Sequence, residues 1–160
     1  MPSFLRILVV SDSHGDRRSL RRILDLHGEA ACVFHLGDGA ADMEALAEDY
    51  PTAVVYGVAG NCDSRLRLFP EEQEVLVGGK RIFAAHGHAF GVKHSPLRFA
   101  HGARQRQADI ALFGHTHQPL LHREDGLILL NPGSVMQGGH YALVDITDGG
   151  VLPHLEQLRY

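Results

Sequence analysis

Several features are scarce in this 160-residue sequence, and each scarcity excludes a class of protein. There are two cysteines and no tryptophan. Two cysteines cannot build the framework of a small disulfide-rich protein, so we expect a reducing environment. The first apolar run, Ile7–Val10, is far shorter than the ~18 residues of a membrane-spanning segment. The N-terminal residues also lack the features of a signal peptide, and we therefore expect a cytoplasmic protein without membrane contact.

Positive charge is not in excess either. The formal net charge is −4, so the chain as a whole does not attract polyanions. This argues against general nucleic-acid binding and against binding to an anionic membrane surface. A positive site inside a cleft is still compatible with this charge.

The composition is that of an ordinary globular protein. Apolar residues make up 44% and charged residues 21% of the chain, which is typical of a folded domain. A chain of this length can bury about 68–70% of its unfolded surface without help from a disulfide. We therefore expect residues 1–160 to form one domain.

The first half of the chain alternates strand and helix patterns. Phe4–Val10, Ala31–Leu36 and Ala53–Val58 are predicted strands, with one helix starting at Asp16 and another over Gly39–Tyr50. This order indicates a parallel sheet in an α/β fold. Further elements are predicted downstream: a hairpin of Glu74–Val77 and Arg81–Ala85, a helix from the Ser95-Pro96 cap to about Gln107, and strands Ile110–Phe113, Leu120–His122, Leu127–Leu130, Tyr141–Ile146 and Val151–Leu158.

Five times an apolar run is followed by a short polar cluster whose side chains can bind metal. These clusters are Asp12-Ser13-His14, Gly37-Asp38, Gly60-Asn61-Cys62-Asp63, His86-Gly87-His88 and Gly114-His115-Thr116-His117. Each cluster taken alone is more typical of a turn than of a site. Ligands bind beyond the carboxyl ends of strands in α/β sheets, so five clusters at five strand ends predict one metal site. The i, i+2 spacing within the first and last clusters predicts an extended backbone with both side chains on one side.

The order of these clusters resembles that of the calcineurin-like metallophosphoesterases. Their pattern is Asp-x-His, Gly-Asp, Gly-Asn-His/Cys-Asp/Glu, a further His, and Gly-His-x-His, and it runs here from Asp12 to His117. The short chain and the Gly-Asn-Cys-Asp version are similar to the small prokaryotic phosphodiesterases. The resemblance implies two packed mixed β-sheets flanked by helices, a four-layer α/β/β/α sandwich.

The resemblance also implies a binuclear metal centre. One ion would be held by Asp12, His14, Asp38 and His117, and the other by Asp38, Asn61, His86 and His115, with Asp38 as the bridge. Nitrogen and oxygen ligands without thiolate suit Mn²⁺, which we expect, with Fe, Zn²⁺, Ni²⁺ or Mg²⁺ as alternatives. The implied nucleophile is a hydroxide that bridges the ions.

The residues predicted to take part in catalysis are Asn61, Cys62, Asp63 and His86. Cys62 departs from the commoner pattern, which has a histidine able to donate a proton to the leaving group. A thiol is a weak donor, which favours diesters over esters that need acid assistance. Asp63 would orient a neighbour, and His88 would lie outside the metal ligands.

The predicted function is metal-dependent hydrolysis of a small-molecule or nucleotide-like phosphodiester. A phosphomonoesterase is the alternative among enzymes. A non-catalytic scaffold of the same fold, like the retromer subunit, is the alternative from another class. Relatives often form dimers or tetramers, so a homo-oligomer is also expected.

Several other residues are predicted to be structural. His35 and Cys32 are assigned to the core, the arginines of residues 17–22 to a solvated helix face, and Asn131-Pro132-Gly133-Ser134 to a turn near the site. Substrate specificity is assigned to loops Ser64–Pro70 and Phe90–Ser95.

Overall fold

The computed structural model describes residues 4–63 and 69–159. Most of the predicted loop Ser64–Pro70 therefore lies outside the described residues. In chain order the elements are β1 (Phe4–Val10), α1 (Arg17–Leu26), β2 (Cys32–His35), α2 (Ala40–Ala47), β3 (Val55–Gly57), β4 (Glu72–Val77), β5 (Lys80–Ala85), a 3₁₀ turn (His88–Phe90), α3 (Leu97–Gln105), β6 (Ile110–Leu112), β7 (Leu120–Glu124), β8 (Leu127–Asn131), β9 (His140–Thr147) and β10 (Gly150–Gln157).

The strands form two mixed sheets of five. The first has the order β10-β9-β1-β2-β3, and the second has the order β4-β5-β6-β8-β7. The strands β1, β2 and β3 are parallel, as the alternation of strand and helix predicted, whereas β9 pairs with β1 in the antiparallel sense. In the second sheet β5, β6 and β8 are parallel, and β4 and β7 are antiparallel edges.

Alternating side chains of the strands supply the two faces of each sheet. In β1, Ile7 and Val9 face the second sheet and pack with residues such as Ile110. Their neighbours Leu8 and Val10 face the opposite way, toward the helices of the first sheet. This is the period of two that a strand imposes. Burying such an aliphatic side chain contributes roughly 1.5–3 kcal/mol, so the central layer between the sheets is a main source of stability.

Helices cover both outer faces. The first sheet is covered by α1 and α2, whose Leu20, Ile23 and Met43 pack onto it. The second sheet is covered by α3, where the Phe99 ring stacks on Phe83 with 5.3 Å between the centroids. The predicted four-layer sandwich is confirmed.

The element boundaries differ from the predictions at several ends. Asp16 does cap α1, because its carboxylate accepts the Ser19 N–H at 3.0 Å. The prediction that α2 extends from Gly39 to Tyr50 is wrong, since the helix covers Ala40–Ala47 and ends in turns. The 3₁₀ turn was not predicted. α3 begins at Leu97, and Ser95 Oγ accepts the Leu97 N–H at 3.2 Å.

One charged pair links the two central strands of the first sheet. Arg6 on β1 donates from Nε and Nη2 to the carboxylate of Asp145 on β9, at 2.8 and 3.0 Å. This hydrogen-bonded pairing lowers the pKa of Asp145. Within the described residues, no helix combines the length and apolar character needed to cross a membrane.

Candidate metal centre

The polar clusters meet at one edge of the sandwich. Backbone hydrogen bonds connect the loops that follow the strands: Asp12 N–H donates to the Gly37 carbonyl at 2.9 Å, and Gly114 N–H donates to the His86 carbonyl at 3.0 Å. His14 N–H also donates to the carbonyl of Asp38 at 3.0 Å. The loops therefore hold one another in place before any side chain is considered.

The backbone of the predicted ligands is not extended. Asp12, His14, Asp38, His115 and His117 all have positive φ angles, of 54°, 41°, 55°, 69° and 62°. The extended arrangement expected from the i, i+2 spacing is therefore wrong. Only a few per cent of non-glycine residues adopt positive φ, and such conformations concentrate at functional sites. Five predicted ligands share this uncommon conformation.

The first group of ligand atoms belongs to Asp12, His14 and His117. His117 Nε2 lies 3.1 Å from Asp12 Oδ1, and His14 Nε2 lies 3.4 Å from the same oxygen. The two Nε2 atoms are 3.3 Å apart. Asp12 is fully buried, and its other oxygen accepts from Ser11 Oγ and from the His115 N–H. The carboxylate thus presents one oxygen to the two imidazoles.

The second group belongs to Asp38, His86 and His115. His86 Nε2 lies 3.2 Å from Asp38 Oδ2 and 3.1 Å from His115 Nδ1. Asp38 Oδ1 accepts the Cys62 N–H at 2.8 Å, which leaves Oδ2 to face the histidines. The second group repeats the composition of the first: one aspartate oxygen and two imidazole nitrogens.

Each aspartate also reaches toward the other group. Asp38 Oδ2 lies 3.7 Å from His14 Nε2, and Asp12 Oδ1 lies 3.9 Å from His86 Nε2. The two groups are therefore adjacent, and Asp38 stands between a histidine of each.

Outer hydrogen bonds fix the orientation of two histidines. His86 Nδ1–H donates to the Leu36 carbonyl at 2.7 Å, and His117 Nδ1–H donates to Gln137 Oε1 at 3.0 Å. Metal-binding histidines commonly use one ring nitrogen in this way. In the neutral ring the other nitrogen, Nε2, then has no proton and presents a lone pair to the centre.

These orientations place an imidazole lone pair against a carboxylate oxygen in each group. His117 Nε2 and Asp12 Oδ1, 3.1 Å apart, and His86 Nε2 and Asp38 Oδ2, 3.2 Å apart, are acceptors that repel each other unless a positive charge lies between them. A further imidazole nitrogen lies 3.3 Å from His117 Nε2 in the first group and 3.1 Å from His86 Nε2 in the second. One proton satisfies a single pair of acceptors, whereas a divalent cation accepts all three atoms of a group. The donor set therefore fits a pair of divalent metal ions.

The electrostatics of the second group favour an ionised Asp38 and a neutral His115. Burial alone would raise the pKa of Asp38, but hydrogen bonding and attraction to His86, together with the Cys62 N–H, hold it well below its usual range. The pKa of His115 is lowered by burial and by the nearby charges of His86 and Lys93. Asp38 is therefore ionised at neutral pH, and His115 is neutral, which are the protonation states that bind metal. Burial would lower the pKa of His86, but its hydrogen bond to Asp38 and its attraction to both aspartates raise it, so a metal ion competes with a proton for this ring.

Asp63 positions the backbone around Asp38. Its Oδ1 accepts the N–H groups of Gly39 and Ala40, both at 2.9 Å, and its Oδ2 accepts those of Asp38 and Gly60 at 2.8 and 2.7 Å. Burial opposes ionisation, but the four N–H groups outweigh it and lower the pKa of Asp63. The expected orienting role of Asp63 is thus directed at the main chain.

Two glycines allow the aspartates to lie against the backbone. A Cβ at Gly114 would lie 2.7 Å from Asp12 Oδ2, and a Cβ at Gly60 would lie 2.6 Å from the Asp38 amide nitrogen. Neither position has space for a side chain, so the glycines of the sequence clusters serve close packing at the site.

A buried network lies beneath the first cluster. Gly37 N–H donates to His35 Nδ1 at 3.2 Å, so in the neutral ring Nε2–H donates to Ser13 Oγ at 3.0 Å. Ser13 Oγ–H donates in turn to Asp42 at 2.7 Å, and Arg17 Nε donates to the same carboxylate at 3.1 Å. Burial lowers the pKa of His35 to about 4, so this histidine is neutral. The network joins the loops after β1 and β2 to the start of α2.

The segment Asn131–Ser134 forms the structural turn that was predicted. Asn131 Nδ2 donates to the Gly114 carbonyl at 3.1 Å and to Thr116 Oγ1 at 2.9 Å. Ser134 Oγ–H donates to the Asp12 carbonyl at 2.8 Å. The turn supports both the first and the last cluster from outside.

Asn61, Cys62 and His88 lie beside the two groups of ligand atoms. Asn61 is exposed, and its amide donates to Cys62 Sγ at 3.6 Å rather than to the second group. Cys62 is an exposed free thiol whose pKa is raised by burial and by the charge of Asp38. The ring of His88 lies 5.5 Å from that of His86, centroid to centroid. The structure therefore brings together six of the seven predicted ligands.

A cleft of about 260 Å³ opens next to the metal centre. His14, Asp38 and Cys62 are among its lining residues. The rest of the described lining is mainly small or apolar: Gly15, Gly39, Ala40, Ala41, Ala59 and Phe69, with Asp42 and Asp63. A substituent of a bound phosphate therefore has a mostly uncharged space beside the ligands.

Two residues near the centre were not among the predicted site residues. Gln137 accepts from His117, and Lys93 contributes positive charge near His115. Lys93 lies in the loop Phe90–Ser95 that was assigned to substrate specificity, and Gln137 follows the Asn131–Ser134 segment, but neither residue belongs to one of the five metal-capable clusters.

Comparison with known proteins identifies the family pattern and the fold. A calcineurin-like phosphoesterase superfamily domain matches residues 5–149. The probable metallophosphoesterase YsnB of Bacillus subtilis (strain 168) is 33% identical over 132 residues, covering 82% of this chain and 75% of that protein. Phosphodiesterase YfcE of Escherichia coli (strain K12) is 31% identical over 172 residues, covering 92% and 90%. The structure of vacuolar protein sorting 29 from Cryptosporidium parvum superimposes with a TM-score of 0.77 at 20% identity, covering 98% and 99%, which shows a shared fold.

Proposed function

The chain belongs to the calcineurin-like phosphoesterase superfamily, and on this basis we propose that it is a phosphodiesterase that uses two divalent metal ions. Its substrate is a small-molecule or nucleotide-like phosphodiester. The similarity to phosphodiesterase YfcE supports this choice of reaction. The single observation that carries the proposal is the pair of adjacent groups, each with one aspartate oxygen and two imidazole nitrogens facing one another.

The assignment of ligands follows these groups. Asp12, His14, Asp38 and His117 hold the first ion, and Asp38, His86 and His115 hold the second. Asn61 completes the second set after its exposed side chain turns from Cys62 toward the centre. We assign Mn²⁺ to both positions, because oxygen and imidazole ligands suit it, and Fe, Zn²⁺, Ni²⁺ or Mg²⁺ remain alternatives.

Bound divalent ions at such a centre supply hydroxide near neutral pH and neutralise charge on the phosphate. The protein's part is to set the charge and the geometry. The carboxylates of Asp12 and Asp38 cancel about half of the +4 charge of two ions, so a net positive charge faces the phosphate. The outer bonds of His86 and His117 present Nε2 to the centre, and Asp63 keeps Asp38 in position.

The preference for diesters rests on Cys62 and the cleft. The thiol beside the cleft is a weak proton donor, so a leaving group must depart without much acid assistance. The mostly apolar cleft beside Cys62 receives one ester substituent of the substrate. A phosphomonoester has an ionised oxygen in place of that second ester substituent. The cleft would offer this oxygen few polar partners.

The proposed catalytic residues are Asn61, Cys62, Asp63 and His86. Asn61 and His86 hold the second ion near the scissile bond, and Cys62 borders the leaving group. Asp63 is a positioning residue. We also infer a cytoplasmic location, which the two free thiols Cys32 and Cys62 support.

A scaffold function is the alternative, since vacuolar protein sorting 29 has the same fold. Fold alone does not separate the two functions. The uncommon backbone conformation of the ligand residues and the mutual orientation of their side chains favour the enzyme, because a scaffold does not require them.

The test is a phosphodiesterase assay with Mn²⁺, before and after exhaustive chelation. Activity should disappear with the metal and return when Mn²⁺ is added. Asp38→Asn should reduce kcat by at least about 100-fold, since loss even of an outer hydrogen-bond partner costs 10–100-fold. His88→Ala is the matched variant at the edge of the site, and its effect should be smaller. Full activity without detectable metal, or equal losses in both variants, would overturn the proposal, and faster monoester hydrolysis would favour the phosphomonoesterase.

A further inference from the structure

A third set of metal-capable atoms overlaps the two groups described above. His14, Asp38 and Cys62 each offer one ligand atom, and these atoms lie within 4.8 Å of one another. His14 comes from the first group and Asp38 from the second. The third set therefore spans the two groups on the side of the cleft, which the same three residues line.

The backbone holds Cys62 within reach of this set. Cys62 N–H donates to Asp38 Oδ1 at 2.8 Å, so its Cα position is tied to the carboxylate. The side chain is exposed and turns about a single torsion. Zinc–sulfur bonds of ~2.3 Å and zinc–nitrogen or zinc–oxygen bonds of ~2.0–2.2 Å at a tetrahedral ion place the sulfur about 3.6 Å from the other ligand atoms. Rotation of the Cys62 side chain about this torsion is the movement that closes the remaining distance from at most 4.8 Å.

We propose that Cys62 is a conditional metal ligand that joins His14 and Asp38 when the ion is thiophilic, such as Cd²⁺ or Zn²⁺. This inference rests on the metal centre proposed above and does not depend on hydrolysis. Hard ions such as Mn²⁺ and Mg²⁺ prefer oxygen and imidazole and leave the thiol uncoordinated. Cys62 thus makes the centre discriminate between ions by softness.

The binding step balances without a redox partner. As the metal–sulfur bond forms, the S–H bond breaks and one proton passes to the buffer, because a coordinating thiol is deprotonated. The other ligands, neutral His14 and ionised Asp38, need lose no proton. Thiolate coordination therefore adds one negative charge to the centre only when the ion is soft.

Cadmium is the probe, because thiolate coordination produces an ultraviolet charge-transfer band that imidazole and carboxylate do not. Cd²⁺ titrated into the metal-free full-length protein should produce a band equivalent to one thiolate per chain. Cys62→Ser should abolish the band and weaken Cd²⁺ binding at least about tenfold. Mn²⁺ titrated into the same proteins should produce no band and bind both equally, as measured by the electron paramagnetic resonance of free Mn²⁺.

The second cysteine of the chain is the matched control. Cys32 is buried in the core at 3% exposure, away from the three ligands, so Cys32→Ala should keep the band. Circular dichroism confirms that each variant is folded. Absence of the band from the parent protein, its persistence in Cys62→Ser, or equal Cd²⁺ affinity of the two would overturn the inference. A protein that shows the band but hydrolyses no phosphoester with Mn²⁺ would refute the proposed function and leave this inference standing.

Discussion

Replacing Asp63 by asparagine tests whether one carboxylate holds the second half of the site together. The two oxygens of Asp63 each accept two backbone N–H groups, which belong to Gly39, Ala40, Asp38 and Gly60. These donors come from two separate loops, one after β2 and one after β3. Asparagine has the same shape, but only one of its two terminal atoms is an acceptor. Its amide nitrogen would therefore face two N–H donors.

The magnitude follows from the two hydrogen bonds that are lost. A hydrogen bond to a charged group contributes about 1.5–3 kcal/mol. Asp63 is partly exposed, so water compensates some of the loss. We therefore take the lower end of this range for each hydrogen bond, which gives a loss of about 3 kcal/mol in the free energy of unfolding for the two bonds together. For a protein of this size about 1 kcal/mol corresponds to roughly 2–4 °C. The midpoint of thermal unfolding should fall by about 6–12 °C.

The assay is chemical denaturation of the parent and the Asp63→Asn variant, with a parallel titration of Mn²⁺. Metal affinity should also fall, because the released loop carries Asp38. Asp125→Asn removes the same charge at an exposed turn, where the positive φ of 48° suits asparagine. The free energy of unfolding of this control variant should stay within about 0.5 kcal/mol of that of the parent. If Asp63→Asn unfolds with the free energy of the parent and binds Mn²⁺ as tightly, the clamp described here does not exist.

Three further changes have expected outcomes. Gly114→Ala should weaken metal binding at least about tenfold by calorimetry, since its Cβ would displace both Ser11 Oγ, which donates to Asp12, and the carboxylate of Asp12 itself; Gly28→Ala, with open space around it, should not. Cys62→His should raise kcat/KM for poor leaving groups by about 10²–10⁴-fold; an equal gain on p-nitrophenyl esters would contradict the proton-donor argument. The lowered pKa of Asp145 stabilises the fold above the unfolded value of about 3.9 and ceases to do so as the pH falls through the folded value. Asp145→Asn should therefore lose less stability than the parent on acidification to about pH 3, measured by urea unfolding, and an equal loss would refute the assignment.

Much of the fold could be predicted because its signals are local. The aliphatic run of β1 and the capping carboxylate of Asp16 each depend on neighbours a few residues away. The C-terminal end of α2 was misplaced, because the apolar pattern continues to Tyr50 while the backbone leaves the helix after Ala47. The pairing of β9 with β1 was not predictable, because the two strands are far apart in the sequence and no local sequence pattern links them.

The candidate ligand residues could be named from the sequence. Residue types that bind metal recur after five apolar runs, and strand ends in such folds collect at one edge, so Asp12, Asp38 and His117 could be placed in one site without coordinates. This inference depends on the chemistry of the side chains and on the meeting of strand ends at one edge of the fold.

The tertiary structure alone decided how those residues meet. His14 and His117 are 103 positions apart in the sequence. Their rings face each other because both residues adopt left-handed backbone conformations that the spacing did not suggest. The clamp at Asp63 depends on two loops that approach each other only after β2 and β3 have paired. The same approach places Cys62 beside Asp38. Sequence determines which groups are available, whereas their distances and orientations follow from long-range packing that no local pattern encodes.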